Sequence, residues 1–242
     1  MSAIKVWYLY NSSFAIDIEE YFLIFDYFND VPSPNKHGLQ AGVIDPNEIT
    51  DKKVFVFVSH RHADHYNPLI LNWREQIKDI AYILSSDIKA NKHIDTHFLK
   101  AHEEIQLDKL KIKSFLSNDE GLAFHINLKD INLFFSGDLN WWKWDGEPQE
   151  WIDGIEKIYF DEMEKLKSLP VDIAFIPVDP RLEENYVLAL EYFTNIIHPK
   201  SIIFPMHFSD QFIYLDYLKR DGYTNNKNIK LISHRGEVFC IK

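Results

Sequence analysis

The chain has 242 residues, of which 46% are hydrophobic and 15% aromatic. That is enough apolar side chain for a substantial core, and it excludes a disordered polymer. Its 37 acidic residues against 26 basic ones leave a net charge of −11, which repels a phosphate backbone and argues against a nucleic-acid partner. The single cysteine, Cys240, excludes an intrachain disulfide. Close to the last strand, it is expected to be a buried small hydrophobe.

Taken in chain order, Lys5 to Leu9, Phe14 to Ile18 and Tyr21 to Phe25 are rich in β-branched and aromatic residues broken by turn residues, and predict a meander of short strands. The run Val6 to Leu9 is too short for a signal-peptide core or a membrane span, so a cytoplasmic, soluble protein with no membrane partner is expected. Asn29 to Asp45, interrupted by Pro32, Pro34, Gly38 and Gly42, predicts a long surface loop. Val54 to Val58 is apolar without alternation, the pattern of a strand buried on both faces.

Further strands are predicted at Ala81 to Leu84, Leu110 to Phe115, Leu122 to Leu128 and Ile131 to Phe135, the last two as a hairpin turning at Lys129-Asp130. Apolar residues stepping by three or four from Ile155 to Leu169 predict a helix that Pro170 ends. Beyond it come a strand at Ile173 to Ile176, a helix near Glu183 to Phe193 and a strand at Ile202 to Phe204. A helix near Phe212 to Leu218 and strands at Ile229 to Ile232 and Val238 to Ile241 complete the pattern. No internal repeat or low-complexity segment divides it, so residues 1–242 read as one α/β domain of layered sheets and helices.

Directly after the Val54 to Val58 strand stands Ser59-His60-Arg61-His62-Ala63-Asp64-His65. Three imidazoles and a carboxylate within six residues are poorly explained by packing or by a solvated polar turn. Nitrogen and carboxylate donors at this density suit zinc, which takes histidine nitrogen at about 2.0–2.1 Å and keeps a position open for water in catalytic sites.

This His-x-His-x-Asp-His segment resembles the signature of the metallo-β-lactamase superfamily. The resemblance implies an αββα four-layer sandwich and a binuclear centre. His60 and His62 would serve one cation, and Asp64 and His65 the other. The superfamily's bridging aspartate follows a strand in a Gly-Asp step, which here is Ser136-Gly137-Asp138, and its last histidine ends a late strand, here Ile203-Phe204-Pro205-Met206-His207. Many relatives place one more histidine before a glycine between these points. The corresponding stretch, Phe115 to Gly121, has none, so Asp119 is the substitute oxygen donor, with Asn118 a poorer one. His125, inside a strand, reads as an ordinary strand histidine.

A glutamate at the second motif position goes with di-iron oxygen chemistry in the superfamily; His62 stands there instead, which points to the zinc-hydrolase branch. Two Zn(2+) per chain are the implied cofactor, with Mn(2+) or Fe(2+) compatible with the same donors. Two cations sharing a water would lower its pKa towards neutrality and yield a hydroxide nucleophile, with Asp64 orienting it and carrying its proton. Asp26, closing the strand Tyr21 to Phe25, is either an acceptor for a ligand histidine or a simple turn acid. Trp141, in the run Leu139 to Trp144, either walls a substrate pocket or packs. Asp179 and Arg181 follow a strand end and either touch substrate or form a helix-start ion pair.

A hydrolase of small-molecule esters, lactones, amides or phosphoesters is therefore expected. The alternatives are a mononuclear or non-catalytic metal-binding or sensing protein of the same fold, for which the missing histidine speaks, and a nuclease-type relative, against which the acidic composition speaks.

Overall fold

A computed structural model describes residues 4–209 and 211–241. The N-terminal apolar runs form β1 (Ile4–Tyr10), β2 (Ser13–Ile18) and β3 (Tyr21–Phe25), paired as an antiparallel meander. β4 (Lys53–Val58) lies parallel to β3 on one side and to β5 (Ile80–Ser85) on the other. Val54 to Val58 are all buried, which is why the strand carries no polar alternation. β6 (Thr96–Leu99) extends the parallel half.

A second sheet starts with β7 (Glu104–Leu107), β8 (Leu110–Leu116), β9 (Leu122–Leu128) and β10 (Ile131–Phe135), each antiparallel to the one before it. α1 (Gln149–Lys167) leads to β11 (Ile173–Pro177), and α2 (Leu188–Tyr192) leads to β12 (Ile202–Met206); both strands run parallel to β10. After α3 (Tyr214–Arg220), β13 (Val238–Ile241) returns to pair with β1. The sheet orders are β13-β1-β2-β3-β4-β5-β6 and β12-β11-β10-β9-β8-β7. Each sheet is thus mixed, with an antiparallel and a parallel part.

The chain divides into two compact units, one running to Leu99 and resuming at Ser233, the other spanning Lys100–Ile232. In the first, Phe22, Ile24, Val54, Val56, Val58, Tyr82 and Leu84 share a core with Ile70, Trp73 and Ile77 from the turn after β4. Arg235 clasps the long loop of this unit. Its guanidinium donates to the carbonyls of Leu9, Val31, Asn29 and Gly42 at 2.7–3.1 Å and lies 5.0 Å from the Tyr10 ring centroid. In the second unit, Tyr159, Met163 and Leu166 form the buried stripe of α1. Glu162 on the same helix is buried too, receiving His102, Lys165 and the Leu116 amide.

Several expectations are corrected. Ile229 to Ile232 is not a strand but a single bridge between Ile203 and Ile229. The helix expected at Glu183 to Phe193 is broken, because Glu183 adopts φ +52° and a π-turn occupies Phe193–Ile197. Cys240 is exposed rather than buried, since it pairs with exposed Lys5 on the outward face of the sheet, while its neighbour Ile241 takes the buried face. β6 and β7, four residues each, carry too short a pattern to be read from sequence. No helix among the described residues is long and apolar enough to cross a membrane.

Candidate metal centre

In the first unit the donors stand where parallel strands end, the position at which sheets of this kind present loops to ligands. β4 ends at Val58, and the carbonyl of His62 accepts the N–H groups of both His65 and Tyr66 at 3.0 Å. This single turn carries the four motif residues, and the Arg61 N–H, donating to Asp87 Oδ2 at 3.0 Å, anchors it. His60 and His65 are fully buried, whereas His62 and Asp64 are exposed.

Beneath the turn lies Asp26, fully buried one residue past β3 and held at φ +43°. Its Oδ1 accepts the Ser59 N–H at 2.7 Å, and its Oδ2 accepts the Ser59 hydroxyl at 2.6 Å and His65 Nδ1–H at 2.7 Å. Because the carboxylate only accepts, Ser59 must give it its proton. The Ser59 oxygen is then the acceptor for His60 Nδ1–H at 2.9 Å. One carboxylate therefore fixes the tautomers of both buried histidines and leaves each Nε2 with its lone pair, the form a metal needs. Burial raises the Asp26 carboxyl above its ordinary range, and the bonds from His65 and Ser59 work in the opposite direction.

The donor atoms come in pairs. His60 Nε2 lies 3.0 Å from His62 Nδ1, and His65 Nε2 lies 3.6 Å from Asp64 Oδ2. Two ligands at tetrahedral positions about 2.0–2.1 Å from one cation stand about 3.3 Å apart, so both pairs have the spacing of ligands to a shared ion. Asn11, in left-handed conformation after β1, points its Nδ2 at Asp64 Oδ2 at 3.4 Å.

The second unit repeats the arrangement. Asp138 follows β10 after a turn in which Gly137 takes φ +53°, Asp179 follows β11, and His207 follows β12 at φ +67°. All three are buried. His207 Nδ1–H donates to Asp179 Oδ2 at 3.0 Å, which leaves His207 Nε2 3.3 Å from Asp138 Oδ1, again the ligand spacing. Burial opposes ionisation of Asp179, yet the bonds from His207 and Arg181 bring its carboxyl down to about 2. Asp179 is to His207 as Asp26 is to His65. From sequence, Asp179 is offered a substrate contact or a helix-start ion pair; the ion pair with Arg181 is present. The acceptor role behind His207 is an addition, signalled by its place at the end of a parallel strand next to the histidine's.

The remaining residues singled out from sequence divide. Asp119 is exposed in the loop between β8 and β9, with a carboxylate oxygen within 4.8 Å of one of Asp138. Asn118 is buried and clasps the loop after β10. Its Nδ2 donates to the carbonyls of Asn140 and Ile155 at 2.7 and 3.2 Å, and its Oδ1 accepts the Asn140 N–H at 3.1 Å. Trp141 turns away into a cluster with Tyr159, Phe160 and Tyr192, its Nε1–H on Glu156. Its neighbour Trp142 is the indole beside His207, with ring centroids 5.4 Å apart. His125 donates from Nε2 to the Pro170 carbonyl at 2.8 Å, an ordinary strand histidine.

No family model and no curated protein matches the sequence. Solved structures do match over nearly the whole chain. The metallo hydrolase Igni18 of Ignicoccus hospitalis aligns with a TM-score of 0.62 at 14% identity, covering 100% of this chain and 99% of the other. The metallo-β-lactamase fold protein YhfI of Bacillus subtilis gives 0.61 at 12%, covering 99% and 100%. CmlA, a diiron β-hydroxylase of Streptomyces venezuelae, gives 0.62 at 8%, covering 99% of this chain and 54% of that one. With two mixed sheets, helices in the second and donors at the ends of the parallel strands, the chain has the metallo-β-lactamase fold.

Proposed function

We propose that the protein is a metal-dependent hydrolase of small molecules, its whole length acting as one functional domain. The observation that carries this reading is the proton inventory around Asp26, Ser59, His60 and His65. It holds two buried imidazoles in the ligand tautomer, an arrangement that packing alone would not require. In this reading His60 and His62 hold one divalent cation, Asp64 and His65 a second, and Asp138 and His207 complete the set in the order the sequence resemblance gives. Asp119 supplies the oxygen donor that replaces the missing histidine.

When bound, such cations activate water and polarise a carbonyl or phosphoryl oxygen. The chain's own contribution is positioning and proton handling. Asp64, with a side chain 52% exposed, takes the Asn11 amide at Oδ2, so its other oxygen is the one that would hold the proton released by water. Asp26 and Asp179 accept at Nδ1 of His65 and His207 and keep those rings from turning. Zinc is the proposed ion for a donor set of imidazoles and carboxylates. Iron is the alternative, since the structural neighbour CmlA is a diiron protein.

Elemental analysis of protein purified without chelator, together with turnover of p-nitrophenyl acetate and bis(p-nitrophenyl) phosphate, tests the reading. Two cations per chain with turnover of either ester support it, and a fall to about one in Asp119→Ala identifies the substitute ligand. One cation or none, unchanged by Asp119→Ala and His207→Ala, overturns the binuclear centre in favour of a mononuclear or sensing protein.

A further inference from the structure

His207 sits at the end of β12, the edge strand of its sheet, in a left-handed backbone conformation that strains a non-glycine residue. A ring so placed needs lateral support to keep one orientation, and the second unit encloses it in a closed circuit of side chains. The Trp142 indole stands edge-on to His207 at 69°, its Nε1–H donating to the Asp138 carbonyl at 2.9 Å. Trp142 lies parallel to Trp144, centroids 5.9 Å apart and planes within 3°. The Arg181 guanidinium lies 5.6 Å from the Trp144 centroid. Arg181 Nε reaches both oxygens of Asp179 at 2.9 Å, and its Nη2 reaches Oδ2 at 2.5 Å. Asp179 Oδ2 in turn accepts from His207 Nδ1 at 3.0 Å, which closes the circuit.

We infer that Arg181 and Trp144 are positioning residues for His207, Arg181 acting through Asp179 and Trp144 through Trp142. An arginine side chain that is 56% exposed and paired with an aspartate two residues away would in isolation contribute little and influence nothing beyond itself. Here the pairing is bidentate and the carboxylate is buried. The fork fixes the plane of Asp179, and with it the direction in which His207 Nδ1–H must point. The stacked indoles bar the ring from swinging to the other side, so the Nε2 lone pair has one direction left.

This inference rests on His207 being a metal ligand, as proposed above, and the test separates the two. The full-length protein, stripped and titrated with Co(2+) against a chelating dye, gives affinity and visible absorption for wild type, His207→Ala, Arg181→Gln, Trp144→Ala and Trp144→Phe. Thermal unfolding of the metal-free forms is followed alongside. Arg181→Gln and Trp144→Ala are expected to weaken the His207-dependent cation about 10- to 100-fold and to shift its absorption bands. Trp144→Phe, which keeps a stacking face and guards against a folding failure in the alanine variant, is expected to recover most of the loss. Metal-free unfolding temperatures should stay close to wild type. If His207→Ala loses a cation while Arg181→Gln and both Trp144 variants bind like wild type, the positioning role is refuted and the ligand role stands. If His207→Ala itself binds like wild type, both fall.

Discussion

Replacing Asp26 with asparagine separates proton placement from packing. The side chains have the same shape, and asparagine tolerates the left-handed backbone at φ +43°. Asn Oδ1 can still accept the Ser59 N–H, but its second terminal atom donates where the carboxylate accepted. It then needs Ser59 Oγ or His65 Nδ1 as an acceptor, which reverses the proton order along Asp26, Ser59 and His60. His65 is driven to carry its proton on Nε2, the atom that faces Asp64 Oδ2 at 3.6 Å, and loses its metal lone pair.

Removing such an outer partner typically costs 10–100-fold in affinity, about 1.4–2.7 kcal/mol. Exchanging charge-assisted bonds for neutral ones costs folding stability only about 1–2 kcal/mol. Asp26→Ala, by contrast, strands three buried donors at about 1–3 kcal/mol each and is expected to unfold, so the asparagine variant is the informative one. Zinc titration against a chelating dye gives the affinity, and long-range nitrogen–proton spectra of the imidazoles give the tautomers. An Asp26→Asn protein that keeps Nδ1–H on His65 and binds zinc within about twofold of wild type would refute the reasoning.

Two further outcomes test the surrounding framework. Burial lowers the His125 pKa below its ordinary 6.5, so the unfolded chain binds the extra proton first. The stability His125 contributes is complete above 6.5 and is lost as pH falls from there towards the lowered value. His125→Gln, which keeps a donor for Pro170, should flatten that acid limb in denaturant midpoints between pH 5 and 7, and an unchanged slope would count against it. Arg235→Ala removes the donors to four carbonyls and is expected to cost about 2–4 kcal/mol. Amide exchange should quicken between residues 29 and 42; exchange there at the wild-type rate would show the loop holds itself.

The motif was legible in sequence because its donors are contiguous, and the Val54 to Val58 strand because burial on both faces leaves no alternation. Asp138 and His207 were legible only through their order after strands. The acceptors behind the histidines were harder to read. Asp26 and Asp179 look like turn acids, and what distinguishes them, a neighbouring parallel strand that ends in histidine, is a fact of sheet order. Trp141 rather than Trp142 was singled out because six consecutive residues, Leu139 to Trp144, carry three indoles, and which one faces His207 depends on the turn after β10. The broken helix after Asp179 follows from Glu183 leaving helical space, a local choice that apolar spacing does not encode.

The pairing of Ile4 with Ile241 has a bearing on biosynthesis. Residues 100–232 form a contiguous unit, whereas the first sheet receives β13 and the Arg235 clasp only from the segment beginning at Ser233. At translation rates of about 5–20 residues per second, β1 spends on the order of ten to fifty seconds without its outer neighbour. Its apolar residues Val6 and Tyr8 are then open to chaperones, and the loop that follows Asp26 is unclasped. Closure of the 29–42 loop therefore belongs to the end of synthesis, after the ribosome has delivered the segment that carries Arg235.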